Sequence, residues 1–342
     1  MDIKLLKKYC DILGPSGMED EIREAIINDI NGSGCEYSVD PMGNLLVFKK
    51  GRKRRDKKVL FAAHMDEVGF MVKHIDDDGY LWFGNIGGID RRVVSGRRVK
   101  FCRSGMTGVV ASKAIHMQTA DERGKCEPVT DMNIDIGAAT RDEALEYVNV
   151  GDCAVFAPDF VQFGEGLVRS KALDDRFGCA VLTDMINSDL EYDTYFAFNT
   201  CEEVGCDGAA QTEFSTTPDV AVIIESTTAG DVPDTPKTRS ACEVGGGAVI
   251  SFMDGATLYD KKCVAYAVET AENNGIKWQY KNVVAGGNEA RSYQRGAKGA
   301  KVIAISAPAR YIHTACDVLH TADIEAVEKL AFAINERSFE NV

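Results

Sequence analysis

An α/β fold interrupted by a small β-rich insertion is what the sequence predicts, on three observations. Val59-Leu60-Phe61-Ala62-Ala63 is a short, wholly apolar run, which suits a strand covered on both faces in a parallel sheet. After Ala172, similar runs at Tyr195 to Phe198, Val220 to Ile224, Ala248 to Phe252 and Val302 to Ser306 alternate with helical stretches at Arg176 to Ile186, Asp260 to Glu272 and Asp323 to Phe339. Between about Val68 and Phe163 the segments are instead short, rich in Gly and β-formers, and frequently punctuated.

Taken in order, Ile3 to Leu13 and Glu19 to Ile30 carry helical periodicity. Gly14-Pro15-Ser16-Gly17 breaks them, and Ser16 three residues before Glu19 predicts a capping box. The basic run Lys49 to Lys58 lies between strands at Asn44 to Phe48 and Val59 to Ala63, and reads as a solvated hairpin loop. The insertion holds strands at Gly69 to His74, Tyr80 to Phe83, Arg97 to Phe101, Gly105 to Val110 and Cys153 to Phe156. It also has one brief helix, Ala144 to Val148, behind a capping box of Thr140 and Glu143. Neither internal repeats nor low-complexity tracts interrupt this pattern.

Composition narrows the function classes. A chain of 342 residues that is 45% hydrophobic can bury a large core. A formal net charge of -14 argues against nucleic acid as a partner, since phosphate binding needs clustered Lys and Arg. No run approaches the roughly 18 apolar residues of a membrane span, and the charged start Met1 to Lys8 lacks a signal-peptide core, so a cytoplasmic, membrane-free protein is expected. The eleven cysteines are scattered without a Cys-x-x-Cys pair, which fits reduced thiols and neither a disulfide framework nor a thiolate zinc site.

The chemistry lies just past the strands. His64-Met65-Asp66 follows the first buried run, Asp174-Asp175 precedes Arg176, Glu202-Glu203 closes another strand, Glu225 ends Val220 to Ile224, and His313 lies beyond Val302 to Ser306. In an open α/β sheet the carboxyl ends of strands form the ligand-binding crevice, so these dispersed positions should converge. Two imidazoles and three carboxylates suit zinc, cobalt or manganese. A carboxylate doublet on a tight bend lets one side chain bind metal while its neighbour serves as a base. Two divalent cations would be balanced by three ligating carboxylates and one bridging hydroxide, whereas one ion would leave the set negative. In His64-x-Asp66 the carboxylate can take the remaining imidazole proton and fix the ring. His74 and His116 read as packing or surface residues, and His320 as the approach to the last helix. Asp175 reads as shaping the bend or holding Arg176, and Cys201 as packing.

His64-Met65-Asp66-Glu67-Val68-Gly69-Phe70-Met71-Val72, Ala172-Leu173-Asp174-Asp175-Arg176, Cys201-Glu202-Glu203-Val204-Gly205 and Arg310-Tyr311-Ile312-His313-Thr314 resemble, in order, the signature segments of the TET or glutamyl aminopeptidase family of dinuclear metallopeptidases. Gly87-Gly88-Ile89-Asp90, Ile134 to Ala138 and Ala229 to Pro233 are lesser matches, and the resemblance spans nearly the whole chain. It implies a three-layer αβα zinc-peptidase-like catalytic domain, residues 1–66 and 164–342, with an inserted β-barrel-like assembly domain, residues 67–163. It implies that His64 and Glu225 bind one divalent ion, Glu203 and His313 the other, and that Asp174 bridges them. Glu202 would be the general base, with Asp66 supporting His64. Zinc or cobalt is the implied metal, with manganese a further candidate, and peptides are the substrates. The family also implies dimers assembling into a tetrahedral dodecamer, a homo-oligomer.

The mechanism this suggests is removal of N-terminal residues. One ion anchors the free α-amine and polarises the carbonyl, while the bridging water gives its proton to Glu202, which returns it to the departing amine. Two departures bear on substrate choice. Glu225 stands where many relatives have aspartate, and Gly286-Gly287-Asn288-Glu289-Ala290 replaces Gly-Gly-Thr-Asp-Ala, with Arg291-Ser292-Tyr293 where small residues are usual. The glutamyl preference is therefore not carried over. A dinuclear deacylase or carboxypeptidase, or a noncatalytic scaffold subunit, are the alternative readings, and the complete donor set weighs against the scaffold.

Overall fold

The computed structural model describes residues 1–339; the final three residues of the expected 164–342 segment lie outside the described residues. Helices α1 (Ile3–Asp11) and α2 (Asp20–Ile30) come first, then β1 (Glu36–Val39), β2 (Leu45–Lys49) and β3 (Val59–His64). A β-rich stretch follows, with β4 (Gly69–Ile75), β5 (Leu81–Ile86), β6 (Arg98–Phe101), β7 (Thr107–Val110), β8 (Asn133–Asp135), α3 (Arg141–Leu145) and β9 (Cys153–Phe156). Next are β10 (Val161–Phe163), β11 (Leu167–Ser170), α4 (Leu173–Asn187), β12 (Thr194–Asn199), α5 (Asp207–Thr216) and β13 (Val220–Thr228). The chain continues through β14 (Ala248–Ile250), α6 (Lys261–Asn273), β15 (Trp278–Tyr280), α7 (Ala290–Arg295), β16 (Lys301–Ala309), β17 (Asp317–His320) and α8 (Thr321–Asn335).

Eight strands form one mixed sheet in the order β1-β2-β12-β3-β13-β16-β14-β15. Its centre is parallel, β12 with β3, β3 with β13 and β13 with β16, and every residue of β3 is buried. Alternation sends Phe61, Phe198, Ile224 and Ile305 to one face, against Leu6, Ile22, Phe177 and Val327 from α1, α2, α4 and α8. Leu60, Ala197, Ile223 and Ala304 face the other way, against Ala209 of α5 and Tyr293 of α7. Helices on both faces of a largely parallel sheet make the three-layer α/β architecture that the apolar runs predict.

The six short strands β4 to β9 close into a barrel in the order β4-β5-β8-β7-β6-β9. Phe70, Phe83 and Phe156 fill it, with Phe70 edge-on to the other two at 5.1 and 5.2 Å. Thr140 caps α3, accepting from the Glu143 amide, while the Glu143 carboxylate accepts from the Ala139 amide. Strands β10, β11 and β17 form a separate small sheet that carries the chain back from the barrel.

Three expectations need correction. Lys49 to Lys58 is no hairpin loop, because β12 lies between β2 and β3, antiparallel to the first and parallel to the second; the run bridges that one-strand gap at one end of the sheet. Nor is the run fully solvated, since Arg55 lies over the Tyr192 ring at 4.4 Å and Phe339 at 5.3 Å. Ser16 and Glu19 do not cap α2, which has no side-chain cap; their oxygens are engaged elsewhere, as described below. Finally, β13 and β16 run past Ile224 and Ser306 to Thr228 and Ala309 in unbroken register. The apolar run stops at Glu225 because that side chain turns to the cavity, but the backbone ladder continues.

Candidate metal centre

His64 is the last residue of β3 and is 1% exposed. Its Nδ1 lies 3.1 Å from the Asp66 carbonyl oxygen and 3.4 Å from the Asp66 carboxylate. The backbone oxygen is thus the nearer holder of the ring, a role expected of the carboxylate. The Asp66 carboxylate instead accepts from the Ser16 hydroxyl at 2.6 Å and from the Glu202 and Glu203 amides at 3.0 and 3.1 Å. It ties the end of β3 to the bend after β12.

The other ring nitrogen, Nε2, faces Glu225 Oε1 at 3.4 Å and Asp174 Oδ1 at 3.6 Å. Across the cavity, His313 Nε2 faces Asp174 Oδ2 at 3.2 Å and Glu203 Oε2 at 3.3 Å. Its Nδ1 lies 2.9 Å from the carbonyl of Gly88, just beyond β5, so a barrel strand helps to aim this imidazole. Asp174 stands between two donor sets, each with one imidazole and one further carboxylate. It comes from the start of α4, not from a strand of the large sheet, where Asp174 and Asp175 depart from helical geometry and the peptide between them is cis.

The neighbouring aspartate has different work. Donor atoms of His64, Asp175 and Glu225 do lie within 4.8 Å of one another, as do those of His64, Asp174 and Glu203. The Asp175 oxygens, however, accept from the His64 amide at 3.3 Å and the Gly178 amide at 3.1 Å. They shape the bend, whereas Asp174 Oδ1 and Glu225 Oε2 are buried with no hydrogen-bond partner. Arg176 turns away to Glu67 and to the carbonyl of Tyr9.

Five acidic groups this close create a strong electrostatic conflict. Burial pushes the Glu203 and Glu225 carboxyls well above their ordinary range, opposed by the imidazoles of His313 and His64 and reinforced by Asp174. Burial likewise raises Asp175. It opposes the shift at Asp174, which both imidazoles nonetheless hold well below the usual range. Burial would lower His313, but Asp174 and Glu203 drive it up to about 10. Glu202 is also raised by burial, and its Oε1 lies 3.3 Å from the Cys206 thiol. Burial, with the Glu19 charge, pushes the Cys201 thiol up to about 12, the condition of an inert packing cysteine.

Several supporting residues escaped the sequence reading. Asp317, 1% exposed, accepts from the Thr314 amide at 3.2 Å and from the Asp174 amide, joining the His313 loop to the start of α4. Lys171 and Arg176 meet Glu67 at 2.7 and 3.4 Å beneath the cavity. Each lies within a few residues of a singled-out position, and that proximity was the available signal. His74 and His116 lie away from the cavity on β4 and a short helical turn, and His320 accepts from the Ala322 amide at the start of α8.

Residues 43–330 match the sequence model of the M42 glutamyl aminopeptidases. The chain belongs to the M42 glutamyl aminopeptidase family. A protein described as an aminopeptidase in Acetivibrio thermocellus is 40% identical over 95% of this chain and 96% of its own length. The lysyl aminopeptidase of Pyrococcus furiosus is 30% identical over 98% of this chain and 97% of its own. The Pyrococcus horikoshii TET1 peptidase, described as assembling into a tetrahedron or a large octahedral shell, superimposes with a TM-score of 0.86. It is 35% identical, covering 97% of this chain and 98% of that one. Mixed α/β sheet and closed barrel are thus those of an M42 enzyme, a metallo-aminopeptidase of the hydrolase class.

Proposed function

We propose that the chain removes N-terminal residues from peptides at a centre for two divalent ions. His64 and Glu225 hold one ion, His313 and Glu203 the other, and Asp174 is shared. One observation carries the reading: Asp174 approaches two imidazoles at 3.6 and 3.2 Å, each facing a carboxylate of its own. Crowded, partly unsatisfied carboxylates at low dielectric fit a cationic guest, and the nitrogen and oxygen donors suit zinc or cobalt, with manganese a further candidate. When bound, such ions supply Lewis acidity, polarising a carbonyl and acidifying a water.

The chain's own residues do the rest. Glu202 belongs to neither donor set, yet it stands on the bend that carries Glu203, with its backbone fixed by Asp66. It accepts the proton of the attacking water and delivers it to the departing amine. Residues 67–163, with the barrel, form the assembly domain, and residues 1–66 with 164 onward the catalytic one. Twelve chains would associate as a tetrahedron, one of the two shells described for the Pyrococcus horikoshii TET1 peptidase.

An ion-stripped sample, reloaded with zinc, cobalt or manganese, should hydrolyse aminoacyl nitroanilides and a free-amine peptide but not its N-acetylated form. Equal rates on the acetylated peptide would favour a deacylase or carboxypeptidase, and inactivity on the whole panel a scaffold. The panel must span acidic and basic residues, since the family is described as glutamyl and one relative as lysyl. Glu202→Gln should keep both ions and lose on the order of 10²- to 10⁴-fold in kcat; a near-parent rate excludes the base.

A further inference from the structure

The bend carrying Glu202 and Glu203 starts at Cys201, whose φ of 55° lies in the left-handed region. Three consecutive amides there are taken by carboxylates from distant parts of the chain. Cys201 donates to Glu19 Oε1 at 3.1 Å, Glu202 to Asp66 Oδ1 at 3.0 Å and Glu203 to Asp66 Oδ2 at 3.1 Å. Both acceptors are held from the turn between α1 and α2. The Ser16 hydroxyl donates to Asp66 Oδ2 at 2.6 Å, and the Gly17 amide to Glu19 Oε1 at 2.9 Å. That turn is pinned beside β3, because the Gly14 amide donates to Glu67 Oε1 and the Glu67 amide to the Gly14 carbonyl, each at 3.1 Å.

We propose that the Ser16–Glu19 turn is a positioning element for the catalytic base, setting the Glu202 carboxylate through the Ser16–Asp66 and Glu19–Cys201 hydrogen bonds. The proposal rests on Glu202 being that base. An amide bonded to a buried carboxylate is held by a charge-assisted bond, roughly twice as strong as a neutral one. Asp66 Oδ2 shares itself between Ser16 and the Glu203 amide, so removing the hydroxyl frees the carboxylate to turn and lets the bend shift with it. Neither Ser16 nor Glu19 caps α2 with its side chain, and the local bond from the Gly17 amide holds Glu19 Oε1 beside the Cys201 amide.

Ser16→Ala, Ser16→Thr and Glu19→Gln in the full-length, ion-loaded protein test this. Ser16→Ala, assayed with the ions in excess so that any weakening at Glu203 is made good, should lower kcat about 10- to 100-fold while KM and melting temperature hold. Exchange at the Glu202 and Glu203 amides should accelerate, Ser16→Thr should recover the rate, and Glu19→Gln, which turns the charge-assisted bond to the Cys201 amide into a neutral one, should lose kcat to a smaller degree than Ser16→Ala. In a Glu202→Gln background Ser16→Ala should remove nothing more, since its effect runs through that side chain. Parent kcat in Ser16→Ala overturns the proposal. So does an equal loss persisting beside Glu202→Gln, or a rate that falls in step with melting temperature and is not restored by threonine. If Glu202→Gln alone keeps the parent rate, the base assignment itself has failed, an outcome visible without any Ser16 variant.

Discussion

Asp174 concentrates the argument for ions in one side chain. It lies 3.2 to 3.6 Å from two imidazoles, and its Oδ1 is buried without a partner, a state that costs about 1–3 kcal/mol if nothing satisfies it. A ligand that binds only the folded chain stabilises it by mass action, by about 2.7 kcal/mol at a hundredfold excess over Kd. The ion-loaded protein should therefore melt well above the chelated one, and Asp174→Asn should lose most of that gap along with turnover. A calorimetric scan showing the same gap in the variant would remove Asp174 from the ion site. The residues around it differ in how well the sequence announced them. His64, Glu202 and His313 follow apolar runs, where a sudden polar residue is conspicuous. Ser16 acts through the Asp66 carboxylate, and Glu19 and Asp317 through backbone amides, all far away in sequence, and a Ser or Glu in a loop looks the same whether it caps a helix or braces a site. Asp66 was legible as a support for His64, yet its carboxylate spends itself on the Glu202 and Glu203 amides.

Helix α4 connects the site to the core, and two substitutions probe it. Gly→Ala inside a helix ordinarily stabilises by up to about 1 kcal/mol. At Gly178 the sign should reverse, because a Cβ there would meet the Asp175 oxygens at 2.3 and 2.5 Å, and Asp175 is held by the His64 and Gly178 amides. Gly178→Ala should cost roughly 1–3 kcal/mol, read as a lower urea midpoint; a stabilised variant would mean that this bend is slack. Farther along α4, burial and then Glu328 of α8 push Asp184 up to about 6. The folded value exceeds the unfolded ~3.9, so its stabilising contribution is complete below about pH 4 and is lost as pH rises to about 6. Asp184→Asn should consequently raise the melting temperature at about pH 7.5, about half as much at pH 5, and hardly at about pH 4. Solvent screening of this half-buried group limits the gain to less than about 1 kcal/mol, and a gain as large at about pH 4 would refute the pairing. Periodicity located α1, α2, α4, α6 and α8 well, because each buries an apolar stripe in the large core. It missed α5, whose sequence Asp207 to Thr216 has no such stripe, and it paired β2 with β3, because pairing partners are set by the order of the whole sheet and not by neighbouring runs.

At the scale of the whole molecule, the barrel and the catalytic layers meet at the site: Gly88, just past β5, holds His313 Nδ1 at 2.9 Å, and a Cβ on Gly87 would stand 3.2 Å from that of Glu203. A force on the barrel is therefore a force on two proposed ligands, so assembly through that unit, as proposed, would have a route to activity. Assembly also has an electrostatic cost. Each chain carries a formal net charge of -14, and like-charged copies repel over a Debye length of about 10 Å at 0.1 M salt but about 30 Å at 0.01 M. Bound divalent cations reduce that charge, and added salt screens the rest. Native mass measurements should therefore find twelve-chain particles in ion-loaded protein at about 0.15 M salt, shifting toward dimers when ions are stripped and salt is lowered to about 0.01 M. Activity on a nitroanilide, followed in ion-loaded protein as salt alone is lowered, should fall as the particles dissociate, because the barrel loop that carries Gly88, in the same chain as His313, loses its bracing. Dimers under every condition would refute the tetrahedral assembly, while dissociation with no loss of rate would confine the barrel's role to assembly and leave the aim of His313 to the chain's own fold.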